Sequence, residues 1–283
     1  VLSDRQQEIK CWGISPFAIS DNEFLKFQNK EDWQEMFDTL YGKMGLTSIR
    51  VPFDKDCGDE SGNISQEQLN YRVEYIKRAK EYGIDDYIIS YWSAPEGMTE
   101  KRHDDEDWKT EPLWHLKNGM EEAYCDYIVS CINYLNENGV GLPSGVGFQN
   151  EPQNGNNTPI YSIGQYKTVS KLLRQKLDAA GFNNIPITSP ETVSYVQLYK
   201  YMGGSKNSKA DGDSLFNFDY LTEDSEYADS IGVLCTHSYH ETSAGAKNAD
   251  IANFASQAAK FPQKERWMTE FSGNATSQEA VIK

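Results

Sequence analysis

Short β-rich runs recur along this sequence with helical patterns between them, and that cadence limits the fold more than any other feature. The runs are Ile9–Ile14, Thr47–Phe53, Asp86–Trp92, Gly145–Asn150, Ile185–Ser189, Ser230–His237 and Arg266–Phe271. Three of the intervening helices carry their own start and stop signals. Ser65-Gln66-Glu67-Gln68 reads as a capping box, followed by Leu69, Val73, Ile76 and Ala79 on one face and Gly83 as the stop. Met120, Tyr124, Tyr127, Ile128, Cys131 and Leu135 recur at helical spacing, and that helix ends near Gly139. Ser162 with Gln165 caps a third, with Tyr166, Val169, Leu173, Leu177 and Ala180 inward and Gly181 at its end. Strand and helix in alternation imply a parallel sheet with helices outside it.

Two architectures suit that alternation. A doubly wound open sheet normally carries a phosphate-cradling glycine motif after its first strand. Here Gly139-Val140-Gly141 precedes a strand and lacks the third glycine. The expected fold is therefore α/β, a (β/α)8 TIM-type barrel forming one catalytic domain over residues 1–283. A barrel needs an eighth strand, and the sequence stops soon after Glu270, so the barrel is expected to be truncated before it. Its first and seventh strands would then present unpaired edges, and the chain is expected to be a monomer unless that edge associates.

Charge narrows the partners. With 27 Lys+Arg against 43 Asp+Glu the formal net charge is −16, the wrong sign for nucleic acid or an anionic membrane surface. The longest clean apolar run, Ile231–Cys235, is far short of the roughly 18–20 residues a spanning helix needs. Five cysteines leave at least one without a partner in the chain. Cys125 and Cys131 lie on one expected helix about 9 Å apart, beyond the approximately 7 Å limit for a disulfide. No C-x-x-C or H-E-x-x-H motif is present. His237-Ser238-Tyr239-His240 could pair on a metal, but no carboxylate motif supports it, so neither a metal nor a cofactor is expected.

In a barrel the chemistry gathers at the C-terminal strand ends. Arg50, Trp92, Asn150, Glu151, Glu191, His237, Tyr239 and Glu270 stand there. Any one of them alone is more simply read as structural. Glu151 and Glu270, however, end the fourth and seventh runs, which face each other across a barrel mouth. A pair of carboxyl groups flanking one bond is the requirement of glycosidic cleavage: one to protonate the leaving oxygen, one to attack or support the anomeric carbon. The 6 Trp and 17 Tyr supply faces for stacking sugars.

Phe148-Gln149-Asn150-Glu151-Pro152 resembles the Asn-Glu-Pro acid/base motif of clan A glycoside hydrolases, and Trp267-Met268-Thr269-Glu270 resembles that clan's strand-seven nucleophile segment. Within the clan the sequence is most similar to glycoside hydrolase family 30, which includes glucuronoxylanases, β-1,6-glucanases and glucosylceramidases. Ser48-Ile49-Arg50-Val51-Pro52, Ser90-Tyr91-Trp92-Ser93-Ala94-Pro95, Ser189-Pro190-Glu191 and Thr236-His237-Ser238-Tyr239 resemble its strands two, three, five and six, in order. The family's companion β-sandwich has no counterpart in these residues. The resemblance implies a retaining β-glycanase acting on a carbohydrate substrate. It does not supply which one, since the family's strand-eight specificity loop has no counterpart in these residues. Xylan is the leading expectation, and the protein is expected to be secreted. The resemblance also implies Glu151 as general acid/base and Glu270 as nucleophile. Asn150 would bind the sugar 2-hydroxyl, Tyr239 would orient Glu270, Arg50 would place positive charge beside it, and Trp92 would floor the subsite. His237 and Glu191 complete the expected binding set. The alternative is a barrel that binds carbohydrate without turning it over.

Overall fold

In the computed structural model the described residues are 10–16, 30–59, 61–103, 111–152, 158–195, 218–238 and 244–270. Among them lie nine strands: β1 (Gly13–Ile14), β2 (Ser48–Phe53), β3 (Asp86–Tyr91), β4 (Thr99–Arg102), β5 (Leu113–Leu116), β6 (Gly145–Gly147), β7 (Ile187–Thr192), β8 (Ile231–His237) and β9 (Glu265–Glu270). The helices are α1 (Lys30–Phe37), α2 (Gln66–Lys80), α3 (Glu121–Glu137), α4 (Ile163–Ala179), the short α5 (Asp219–Glu223) and α6 (Ser225–Ser230), and α7 (Ala244–Ala258).

The seven expected runs form one parallel sheet in the order β1-β2-β3-β6-β7-β8-β9. This sheet is curled. Between β2 and β9 lie five strand spacings, roughly 24 Å across a flat sheet at about 4.8 Å each, yet Arg50 on β2 donates to the Glu270 carboxylate on β9. At the opposite end Lys10 Nζ reaches Glu265 Oε1 at 2.9 Å, linking the residues before β1 to the start of β9. The result is the curved wall of a TIM-type barrel in which, among the described residues, β1 and β9 are the outer strands. Its helices cover the outside, as the right-handed βαβ rule requires.

The helix signals hold at the level of atoms. Ser65 and Ser162 are N-caps whose hydroxyls accept from the backbone N–H groups of Gln68 and Gln165, each satisfying a donor that the first helical turn leaves without a partner. Gly83, Gly139 and Gly181 follow their helices at φ 81–82°. The expected apolar faces are buried, with two corrections. Met120 is 36% exposed because it precedes α3 rather than lying on it. Ala180 is exposed because it is the C-cap of α4, where the inward stripe has ended. All five cysteines are free thiols.

Strand limits shift in informative ways. β6 ends at Gly147, short of the expected Asn150, because the chain leaves the regular ladder to form the mouth. β7 runs on to Thr192, past the expected Ser189 and through Pro190; the register slips between Pro190 and Thr192, and a bulge tolerates proline's missing N–H. The antiparallel β4–β5 hairpin escaped sequence analysis because its connecting stretch is dominated by charge and lacks a tight-turn pair.

Candidate active site

Backbone hydrogen bonds continue the ladder beyond the strands and tie the C-terminal ends together. Trp92 N–H donates to Phe53 O (2.6 Å), Asn150 N–H to Tyr91 O (2.7 Å), Glu151 N–H to Glu191 O (3.0 Å) and Ser238 N–H to Glu270 O (3.2 Å). The segment leaving β6 is pinned from the helix side as well: the Tyr124 hydroxyl on α3 donates to the Phe148 carbonyl at 2.6 Å. Two non-glycine residues of the mouth, Glu151 and Glu191, sit at φ 47° and 53°. Left-handed backbone at such side chains is strained and persists only where the surroundings over-determine it.

The side chains converge on Arg50. Its Nη2 donates to Ser90 Oγ, Asn150 Oδ1 and Glu191 Oε2, each at 2.7 Å, and its Nη1 to Glu270. Burial works against the guanidinium charge, but Glu191 and Glu270 outweigh it and hold the group above its ordinary value. Glu191 also accepts from Thr188 Oγ1 at 2.7 Å and Ser90 Oγ at 3.1 Å. Burial would push its carboxyl up; the Arg50 charge, with His237 and Thr188, reverses this and brings it to about 2. His237 Nδ1 lies 3.0 Å from Glu151 Oε1. Burial alone would lower the imidazole, whereas the hydrogen bond to Glu151 and the Glu191 carboxylate 3.9 Å from Nε2 raise it above its ordinary value.

One carboxylate oxygen each of Glu151 and Glu270 and a ring nitrogen of His237 lie within 4.8 Å of one another. Such a trio can ligate a divalent ion. Here the Arg50 guanidinium already supplies positive charge to Glu270, so the set is better suited to proton and nucleophile chemistry than to a cation.

No family model matches this sequence, nor does any curated protein. Solved structures do match. The endo-β-1,6-glucanase BT3312 superposes with a TM-score of 0.71 at 17% identity, over 97% of this chain and 60% of that one. A GH30 endoxylanase from Clostridium papyrosolvens C71 gives 0.63 at 19%, over 94% and 57%. The fold is that of glycoside hydrolase family 30. A third structure, the catalytic domain of GH30 xylanase C from Talaromyces cellulolyticus, gives 0.60 at 16% identity, over 93% and 68%. The present chain thus spans less than two thirds of the length of the glucanase and of the Clostridium papyrosolvens endoxylanase.

On this family 30 fold the expected site residues fall into three groups. Arg50, Asn150, Glu151, His237 and Glu270 are brought together as one network. Arg50 reaches it from the third position of β2 and not from the strand end, by the length of its side chain. Glu191 belongs to the network but lies beneath the mouth at 1% exposure, with His237 at 0%; both act on other side chains rather than presenting a surface to a sugar. Trp92 is half-buried just past β3, and its carbonyl accepts from Gln149. Tyr239 lies outside the described residues. Ser90 and Thr188 were missed. The signal for each was a small hydroxyl inside an otherwise apolar, buried strand, where a polar group must find a partner.

Proposed function

We propose that this chain is a retaining glycoside hydrolase acting on a β-linked polysaccharide. The observation that carries this is the closeness of Glu151 and Glu270 at the strand ends, with carboxylate oxygens within 4.8 Å of each other. Carboxyl groups about 5–5.5 Å apart favour direct attack and a covalent glycosyl-enzyme, whereas inversion needs roughly 6.5–9.5 Å to admit a water. The two carboxylates also have different neighbours, as two different roles require. Glu270 accepts from the Arg50 guanidinium, which pairs that carboxylate with a buried cation. Glu151 faces the His237 imidazole, which fixes its Oε1.

In this reading Glu270 attacks the anomeric carbon while Glu151 gives its proton to the departing oxygen. Glu151 then takes a proton from the water that releases the sugar from Glu270. Asn150 is oriented by Arg50 through Oδ1, which leaves its amide N–H groups to donate to the sugar 2-hydroxyl. Trp92, half-buried just past β3, floors the subsite. Among substrates xylan is the leading choice, supported by the endoxylanase and xylanase that share this fold. A charge of −16 opposes polyanionic glycans.

Glu270→Gln should abolish hydrolysis of aryl β-glycosides and xylan, and Glu151→Ala should retain turnover of substrates with good leaving groups. Azide should then yield a β-glycosyl azide from the Glu151→Ala variant. An inverted first product by NMR would reject the mechanism, and binding of β-glycans without turnover by the wild type would favour the non-catalytic barrel.

A further inference from the structure

We propose that Glu191 is a positioning residue, a buried carboxylate that holds Arg50 against Glu270 and His237 beside Glu151 without itself touching substrate. This deepens the functional reading above and rests on it. Three independent features of the fold point to a place built for this group. Its carboxylate is satisfied on both oxygens, Oε2 by Arg50 and Ser90 and Oε1 by Thr188. Its backbone is held at φ 53°, a strained conformation for a residue with a side chain. The neighbouring strand also makes room for it: a Cβ at Gly147 would lie 2.4 Å from Glu191 Oε1 and 2.7 Å from Thr188 Oγ1. Only glycine lets β6 pass that carboxylate.

The charges around it explain why an anion is needed there. The charged groups facing His237 are Glu151 from the end of β6, Glu191 from β7, Arg50 from β2 and Glu270 from β9. Around Glu191 the further titratable neighbours are Cys235 and Tyr166, both kept neutral by burial. With Glu151 carrying its proton, Arg50 and a protonated His237 are matched by Glu191 and Glu270. Neutralising Glu191 leaves two cations facing one anion, which disfavours the imidazole proton and frees the Arg50 fork to turn away from its present geometry.

Glu191→Gln in the full chain tests this by two readouts. By nitrogen-15 NMR the His237 imidazole should titrate at lower pH than in the wild type. With an aryl β-glycoside, kcat should fall by about 10²-fold, the scale of a small misplacement of catalytic groups, with KM nearly unchanged. The alkaline limb of the kcat profile should move to lower pH, since a negative charge that favours retained protons is gone. Glu191→Asp keeps the charge but withdraws it, and should restore the His237 titration more fully than kcat. If Glu191→Gln does not fold, Thr188→Val carries the same test by removing the hydroxyl that holds Oε1, with smaller shifts in the same directions. An unchanged His237 titration together with unchanged kcat in the folded variant overturns the proposal. A wild-type chain that hydrolyses no aryl β-glycoside defeats the functional reading alone, and the His237 titration then still decides the role of Glu191.

Discussion

Strands β7 and β9 belong to one sheet, and each carries near its C-terminal end a glutamate that bonds Arg50, yet their surroundings are opposite. Every residue of β7 is buried, because β6 and β8 flank it and Tyr166 of α4 packs on it, its hydroxyl 3.1 Å from Ser189 Oγ. No residue of β9 is fully buried, because among the described residues only β8 pairs with it. Glu191 is accordingly locked by its own strand, by Thr188 and by Ser90. Glu270 is located by Arg50 and by the backbone bond from Ser238. The deeply enclosed carboxylate is suited to setting charge, and the more accessible one to meeting a substrate.

Arg50→Met attacks what the two strands share and should have the largest effect. It leaves Glu191 without its buried cation, which should cost about 3–5 kcal/mol by denaturant unfolding, and any glycosidase turnover should be lost. Wild-type stability would mean that the two arms are held independently. Core truncation sharpens the contrast. Phe148→Ala, next to β6 and fully buried, should cost about 3–5 kcal/mol. Met268→Ala on β9, already 40% exposed, should stay within about 0.5 kcal/mol. Equal costs would remove the distinction between enclosed and edge strands.

The pH dependence comes next. The Glu191 carboxyl is lowered to about 2 from 4.5, so its contribution is complete above the unfolded value and is lost as pH falls from about 4.5 toward 2. His237 is raised, so its contribution is complete below 6.5 and is lost as pH rises through the higher folded value. Thermal unfolding followed from pH 2 to 9 should show a fall at each end; Glu191→Gln should remove the part of the acid fall that Glu191 supplies. The smallest effect belongs to the link between the ends of the wall. Lys10 and Glu265 form an exposed pair, so Lys10→Ala should cost less than about 1 kcal/mol and nothing measurable at high salt.

Much of the fold was legible because its signals are local. Ser65 and Ser162 announced their helices through hydroxyls that satisfy nearby N–H groups, and Leu69, Ile76, Leu173 and Leu177 marked inward faces by spacing alone. The carboxylates Glu151 and Glu270 were legible for the same reason, as polar residues directly after apolar runs. The β4–β5 hairpin was not, since its strands are short and its pairing is with each other rather than with the main sheet.

The sequence by itself therefore determined the seven strands of the main sheet, their parallel order and the capped helices between them, since periodicity, caps and glycine stops act within a few residues of one another. Tertiary structure alone decided that Arg50 meets Glu270, that Glu191 lies beneath the mouth instead of lining it, and that Ser90 and Thr188 join the network. Those contacts span up to 220 residues and depend on curvature accumulated strand by strand across the sheet. No local pattern records where such a curve will bring two side chains together.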